Sequence, residues 1–410
     1  MSMNRPSESL LRRLPEEVIA LCGVLYLLAG RWSYARLDPS LSTSQPLYEP
    51  RFILVPAMFA ALMLTWQRGA RPVSEDRVTI NRIALSLVVF LGYMMTTALW
   101  CHDAEFAVMK FVELMMVMLA MLAFAWALSI CDPERLRDAV FRYLLVLCGL
   151  LALLGLRTIA DARLAVLGGG PNVYGRNMCL LAASCLYFWR RGGRAWLWLP
   201  GVGLAFILVI LTGSRGALVA FSALTLGFLM MSQRRLPTTI LSLAVLAVVT
   251  YVALADSVIW DAVERTFRSR VIELTLEKRH DASRGELFQG ALDLALQNPM
   301  LGKGLASGRA FLGQYPHNLF LETLSDGGLV GLSILVGTFL IVAYSLSTHE
   351  GTLDTTCLAT FGMLLASSQF SGDFYDSRGV FFFMPLIVVR VTQSDGEKHP
   401  PLEPAAAPAS

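Results

Sequence analysis

Three side chains in this mostly apolar chain have types and settings suited to chemistry: Arg215, Arg284 and His317. A guanidinium at a helix N-terminus makes an anion site, because the free N–H groups and the helix dipole add to its charge. A neutral imidazole near a membrane surface can accept a proton from a hydroxyl group. Taken singly, each residue also has a simpler role: a snorkelling arginine, a solvated loop charge and a hydrogen-bonded structural histidine.

Arg215 and His317 stand at junctions between polar and apolar segments. Arg215 lies in Leu-Thr-Gly-Ser-Arg-Gly at 211–216, a turn between two apolar runs. His317 follows Pro316 and precedes the apolar run that begins at Asn318. Proline fits the entry to a helix, and the positive helix terminus disfavours a charged imidazole. Both positions are therefore expected at the membrane surface.

Arg284 is predicted in the first turn of a helix. Ser283 and Glu286 have the S-x-x-E spacing of a capping box, and Asn298-Pro299 would end the helix. Its apolar positions recur at helical spacing, namely Leu287, Ala291, Leu294 and Ala295. The pattern predicts a helix that lies on the surface with one apolar side.

The elements that must position these residues are membrane spans. The 410 residues are 55% hydrophobic and 16% charged, with a mean hydropathy of +0.57, which indicates an all-α integral membrane protein. Since a span needs about 20 apolar residues, the sequence predicts about twelve. They fall near 16–32, 51–66, 80–100, 105–130, 138–156, 172–189, 196–212, 215–231, 237–255, 318–346, 353–370 and 377–391.

The distribution of arginine predicts the orientation of these spans. With the N-terminus in the cytoplasm, the arginine-rich short segments 68–82, 135–142 and 190–194 also fall on the cytoplasmic side. The long polar segment between 256 and 316 then faces outward. The chain divides into nine spans (1–255), an outward loop with catalytic helices (256–317), three spans (318–391) and a disordered cytoplasmic tail (392–410).

Several classes of protein are excluded by what the sequence lacks. It has no Walker-type phosphate loop, no paired CxxC and no His-x-x-x-His zinc pair, which excludes ATPase and metallopeptidase functions. No cleavable signal peptide is evident, and most of the seven cysteines fall in apolar segments, so we expect no disulfide framework. We predict no metal, no cofactor and no nucleic-acid partner.

The motifs in their order resemble those of the O-antigen ligase and polymerase superfamily. They are Ser214-Arg215-Gly216, an Arg-x-x-x-[Trp/Phe] motif at 284–288, Asn-Pro-x-x-Gly-x-Gly at 298–304, and His317-Asn318 followed by Leu321, Gly328 and Gly331. Phe288 stands where tryptophan is common in the family. The motif-bearing part runs from about residue 211 to 332, and the predicted spans agree over nearly the whole chain.

The resemblance implies a metal-independent, inverting glycosyltransferase of the bacterial inner membrane, with a GT-C-like architecture. Such an enzyme moves a glycan from undecaprenyl diphosphate to an acceptor at the periplasmic face, among membrane lipids. In the ligases the acceptor is the lipid A-core oligosaccharide of lipopolysaccharide. By the resemblance, Arg215 and Arg284 hold the diphosphate, His317 is the general base, and Tyr315 and Asn318 contact substrate.

Two alternatives remain open. A polymerase of the same superfamily would use a second lipid-linked glycan as acceptor, but polymerases often carry two sizeable outward loops and here only one is long. A lipid-linked-glycan transporter would place Arg176, Lys110 and Glu113 on a transport path. Lys110 and Glu113 lie one helical turn apart, so we expect a local ion pair. Glu322 and Asp326 are expected to be polar residues of a helix end.

Overall fold

The computed structural model describes residues 6–29, 49–68, 76–157, 164–166, 170–231, 284–348 and 352–390, together with positions 264, 266 and 268. Within these residues the regular secondary structure is helical, and the one β-type contact is an isolated bridge. The helices are α1 (Pro6–Ala29), α2 (Arg51–Gln67), α3 (Arg77–Thr96), α4 (Ala104–Ile130), α5 (Pro133–Leu156), α6 (Pro171–Arg190), α7 (Ala195–Leu211), α8 (Arg215–Met231), α9 (Arg284–Gln297), α10 (Ser307–Leu312), α11 (Leu319–Ser347), α12 (Thr355–Ser367) and α13 (Arg378–Phe383).

Among the residues that the structure describes, four helical segments are long and apolar enough to cross a membrane: Arg77–Trp100, which adds a short 3-10 helix to α3, and α4, α5 and α11. The shorter helices α2, α7, α8 and α12 are also apolar. The predicted all-helical membrane class is therefore confirmed. Each predicted span overlaps a described helix except 237–255, which lies outside the described residues, as does the tail. The number of crossings and the division at 255 and 317 stay predictions.

Connections far apart in the sequence meet at one end of the bundle, which we call the site end. There Ser214 Oγ donates to Asn172 Oδ1 at 2.6 Å, which joins the starts of α8 and α6. Lys110 Nζ, near the start of α4, lies 2.9 Å from Glu322 Oε1 in the first turn of α11. Each contact joins the starts of two helices, so α6 and α8 begin at the same end, as expected when α7 runs back between them.

The opposite end is closed by a second set of charges. The buried Arg137 near the start of α5 donates to the carbonyl of Val389 at 2.9 Å. Arg191, at the end of α6, forms an ion pair with Glu134 at 2.8 Å. These contacts tie the start of α5 to the end of α6 and to the last described turn of the chain. The two ends of the bundle are thus held by separate sets of polar and charged residues.

Helix α11 is broken at Gly328. This glycine has φ 64° and ψ −163°, a region that essentially only glycine adopts. After the break, the N–H groups of Leu329 and Val330 donate to the carbonyls of Pro299 and Met300, at 2.8 and 3.1 Å. The turn that follows α9 therefore caps the second part of α11, and a Cβ at Gly328 would lie 2.3 Å from the Met300 oxygen.

The two glycines of the Asn-Pro-x-x-Gly-x-Gly motif also allow two backbone segments to approach closely at the break in α11. Gly302 and Gly304 have φ of 70° and 90°, and a Cβ at Gly302 would lie 2.5 Å from the Asp326 backbone. The N–H of Lys303 donates to the Ser325 carbonyl at 2.8 Å, and that of Gly304 to the Asp326 carbonyl at 3.0 Å. The motif fastens the segment after α9 onto the break in α11.

Candidate active site

The centre of the site end is the connection between α12 and α13, which we call the 368–377 loop. Its Asp373, Phe374 and Tyr375 are buried. Two buried cations from other helices hold it, because Lys110 forms an ion pair with Asp373 and Arg176 donates to the Asp376 carbonyl at 2.8 Å. A loop held by buried ion pairs offers a fixed surface on which other groups can be placed.

His317 is placed against this loop. Its Nδ1 lies 3.3 Å from the carbonyl oxygen of Gly372, and the residue has a left-handed φ of 59°. A carbonyl can only accept, so this hydrogen bond requires the proton on Nδ1. The neutral imidazole then carries its free lone pair on Nε2, the form that a general base needs. His317 is partly exposed.

The residues on either side of His317 have clear structural partners. Asn318 is the N-cap of α11, and its Oδ1 accepts from the N–H groups of Phe320 and Leu321, both at 3.0 Å. The ring of Tyr315 lies over Lys110, with its centroid 4.1 Å from Nζ. Both side chains are partly exposed at the site end, so a contact with substrate stays a prediction.

Arg215 is the first residue of α8, as the Ser-Arg-Gly turn predicts. Ser214 caps the helix, since its Oγ accepts from the N–H of Ala217 at 3.2 Å. Gly216 packs on the 368–377 loop, where an added Cβ would lie 3.1 Å from Cβ of Phe370. Phe370 and Gly372 are two residues apart, so the start of α8 and His317 contact one short segment of the same loop.

Arg284 is the first residue of α9, and the predicted buried face is confirmed at Leu287, Ala291, Leu294 and Ala295. The predicted cap, Ser283, lies outside the described residues. Burial and the nearby positive charge of Arg215 lower the pKa of Arg284. No carboxylate among the described residues forms an ion pair with Arg284. Two guanidiniums brought together in this way favour an anion between them.

Lys110 has other partners than the sequence predicts. It does not pair with Glu113, one turn away on α4. It pairs with Glu322 and Asp373, while Glu113 pairs with Arg51 at 3.5 Å. At about 100° per residue, positions i and i+3 on a helix point in directions about 60° apart. Packed between helices, the two side chains reach different neighbours.

The two acidic residues of α11 are also not simple polar residues of a helix end. Glu322 is buried beside Lys110. Asp326 is buried and accepts from the N–H groups of Ala306 and Ser307, at 2.9 and 3.0 Å. It thereby holds the start of α10 on α11. Glu322 stands in the first turn of α11 and Asp326 just before its break, as expected of residues at helix ends. The sequence did not predict that both are buried, because the short first part of α11 lies inside the protein.

Arg176 is likewise fixed within the protein. Besides its hydrogen bond to the Asp376 carbonyl, its Nη2 lies 3.8 Å from the Asp376 carboxylate, which also meets Arg378 at 3.5 Å. Arg378 in turn donates to the Leu27 carbonyl at 2.6 Å. An arginine with such partners shapes the 368–377 loop, and this weakens its assignment to a transport path.

The site end collects positive charge and a proton acceptor in one region. Helices α8 and α9 begin at Arg215 and Arg284, and α11 begins two residues after His317. Helix N-termini carry a partial positive charge and free N–H donors, which favour phosphate groups. Among the described residues no group of three or more His, Cys, Asp and Glu could hold a metal ion.

The sequence did not single out the 368–377 loop. Its residues are Ser-Gln-Phe-Ser-Gly-Asp-Phe-Tyr-Asp-Ser, a polar stretch at the junction of two predicted spans. The available signal was the pair of acidic residues, Asp373 and Asp376, next to a membrane span. A buried carboxylate needs a cation, and several arginines and Lys110 in apolar runs needed anions.

The fold defines a multi-pass membrane protein, and two guanidiniums at helix starts and an imidazole lie at one end of its helix bundle. Residues 200–336, which include Arg215, Arg284 and His317, match the sequence model of the O-antigen ligase family. This confirms the resemblance to the O-antigen ligase and polymerase superfamily and supports a membrane enzyme that transfers glycans. Substrates in this family are lipid-linked glycans and lipid acceptors. No curated protein matches the chain.

Proposed function

We propose that this protein is an O-antigen ligase, which transfers a glycan from undecaprenyl diphosphate to the lipid A-core oligosaccharide of lipopolysaccharide. Transfer takes place at the site end, which faces the periplasm from the bacterial inner membrane. The match to the O-antigen ligase family over residues 200–336 supports the reaction class. The observation that carries the proposal is that the start of α8, which bears Arg215, and His317 contact one short segment of the 368–377 loop. Arg284 begins α9, and the positive charge of Arg215 helps to lower its pKa.

In the proposed reaction, His317 Nε2 accepts the proton of an acceptor hydroxyl as its oxygen attacks the anomeric carbon. The bond from that carbon to the diphosphate oxygen breaks, and its electron pair leaves with undecaprenyl diphosphate. Attack from the face opposite the leaving group inverts the anomeric centre. The hydrogen bond from Nδ1 to the Gly372 carbonyl keeps the imidazole in the tautomer that this step needs.

Arg215 and Arg284 stabilise the leaving group. Departure of a diphosphate develops negative charge on its oxygens, and a guanidinium can donate two parallel hydrogen bonds to such a group. Preorganised donors act mainly on the transition state, since they need no rearrangement as the charge develops. The two guanidiniums and the helix N-termini supply positive charge, so we propose that transfer needs neither a metal ion nor a cofactor.

Lys110 supports the site through buried contacts with residues near Gly372 and His317. It pairs with Asp373, next to Gly372, and its ammonium also meets the ring of Tyr315, two residues before His317. Lys110 thus holds both partners of the His317–Gly372 contact through their neighbours in the chain. We assign it the role of a positioning residue.

The function is tested in a strain that lacks the gene and carries either the wild-type copy or His317→Gln. A ligase predicts that the deletion strain accumulates lipid-linked O-antigen chains while its lipopolysaccharide ends at the core. Only the wild-type copy should restore O-antigen on the core. Lipid-linked glycan that is limited to single repeat units would instead identify a polymerase. Normal O-antigen ladders in the deletion strain would contradict both functions.

A further inference from the structure

Helix α9 has a wide apolar side, of which the described part of the protein covers only a portion. Opposite its exposed polar residues lie the four buried ones already described. Between these two sides are Leu292 and Leu296, whose exposed fractions are 39% and 67%. The exposed polar side carries Glu286, Gln289, Asp293 and Gln297. At about 100° per residue, Leu292 and Leu296 extend the apolar side of the helix next to its buried part.

The exposed apolar surface continues beyond the end of α9. Met300 and Leu301 follow in the next turn and are 59% and 51% exposed. This turn is fixed to α11, because the Pro299 and Met300 carbonyls accept from the start of its second part. Leu329, the first residue of that part, is 47% exposed. We call Leu292, Leu296, Met300 and Leu301 the α9 apolar face.

The second part of α11 indicates where the membrane lies relative to α9. It runs from the break at Gly328 to Ser347, and at 1.5 Å per residue it is about 28 Å long, close to the hydrocarbon thickness of a bilayer. Leu329, Val336 and Leu340 share one side of it, by their spacing of seven and four residues, and all three are exposed. This lipid-facing side begins at Leu329, directly beside the α9 apolar face.

We propose that the α9 apolar face lies in the interfacial region of the membrane leaflet at the site end, in contact with the acyl chains of ordinary bilayer lipids. Its continuity with the lipid-facing side of α11 selects this occupant over a water-soluble partner. An interfacial helix has this pattern, with an apolar side in the acyl boundary and polar residues toward water. The consequence, which rests on the proposed function, is that α9 holds Arg284 at the level of lipid headgroups, where a lipid diphosphate lies.

The contact is tested with a fluorescent probe attached to one introduced cysteine at a time in the full-length protein. Leu296→Cys and the matched control Asp293→Cys, one turn earlier on the polar side, are each labelled with an environment-sensitive fluorophore. Cys101, the one native cysteine among the seven that is not buried, is replaced by serine. The proteins are reconstituted in vesicles of phosphatidylethanolamine and phosphatidylglycerol, without any polyprenyl lipid. Quenchers are iodide in water and a nitroxide attached to lipid acyl chains.

The label at Leu296 should emit at shorter wavelength than the label at Asp293, lose iodide quenching and gain quenching by the acyl nitroxide. Equal iodide quenching of both labels would overturn the proposal, since the face would then lie in water. Protection of the Leu296 label from both quenchers would also overturn it, since protein would cover the face. The same measurements in a His317→Gln background should be unchanged, so the result does not depend on glycan transfer.

Discussion

Nζ of Lys110 lies 2.9 Å from Oε1 of Glu322, and both side chains are buried. The same ammonium pairs with Asp373, so one cation serves two carboxylates that belong to different parts of the fold. A buried charge is costly unless it is paired. Each member of this cluster therefore depends on the others, and the cluster joins α4, α11 and the 368–377 loop beneath His317.

Replacing Lys110 by methionine should destabilise the protein strongly. Lys110→Met keeps the length of the side chain but leaves two buried carboxylates without their cation, and removal of one partner from a buried pair typically costs about 3–5 kcal/mol. Thermal unfolding of the detergent-solubilised protein measures the loss. Lys303→Met, at a partly exposed lysine, is the matched control and should unfold near the wild-type temperature. Equal stability of Lys110→Met and the control would contradict the importance of the cluster.

Gly328→Ala should disturb the attachment of α9 to α11. Alanine cannot adopt φ 64° and ψ −163° without strain of about 1–3 kcal/mol, and its Cβ would also meet the Met300 carbonyl. We expect a lower unfolding temperature and reduced transfer. Gly337→Ala is the control on the same helix, because a Cβ there has open space around it. If both variants behaved alike, the break would have no structural role.

The local patterns in the sequence predicted local structure well. The helical spacing of Leu287, Ala291, Leu294 and Ala295 predicted the buried face of α9, because the period of a helix repeats over a few residues. The apolar runs predicted where helices lie, because the hydropathy of a run is also a local property of the sequence. The turn and capping signals also predicted that Arg215, Arg284 and His317 stand at or next to the starts of α8, α9 and α11.

Partners far apart in the sequence could not be predicted in this way. Lys110 and Asp373 are separated by 263 positions, and no local spacing indicates which helices are neighbours in a bundle. The i, i+3 spacing of Lys110 and Glu113 suggested the wrong ion pair, since the tertiary contacts of α4 decide where each side chain points. The role of the 368–377 loop follows from those same contacts and was missed with them.

Arg215 and Arg284 should be needed for transfer and poorly replaced by lysine. Loss of one preorganised donor to a developing anion typically lowers the rate about 10²- to 10³-fold, and lysine lacks the two-pronged geometry. The measurement is transfer by purified Arg215→Lys and Arg284→Lys, with Arg135→Lys, an exposed arginine of the opposite end, as control. Wild-type transfer should persist in EDTA. Loss in EDTA that magnesium restores would contradict the assignment of charge stabilisation to arginine.

The site end should face the periplasm. The prediction is motivated by the concentration of arginine in the short loops that are assigned to the cytoplasm. The probe is a cysteine at an exposed position of the site end, Gln314→Cys, in the Cys101→Ser background. A membrane-impermeant maleimide should label it in intact cells with a permeable outer membrane. Arg135→Cys should be labelled only after the inner membrane is opened. The reverse pattern would place the proposed active site in the cytoplasm.

His317→Gln should lower turnover while the lipid-linked donor still binds. Glutamine keeps a polar side chain near Gly372 but cannot take up the proton of the acceptor hydroxyl, and general-base assistance is typically worth about 10²- to 10⁴-fold in rate. Donor binding should be nearly unchanged, because we propose that the diphosphate is held by Arg215 and Arg284 and not by His317. Turnover and donor binding of the wild type and the variant, measured side by side, separate the possible roles. Wild-type turnover in the variant would make His317 a structural hydrogen-bond donor to Gly372, and loss of donor binding would assign it to the anion site with Arg284.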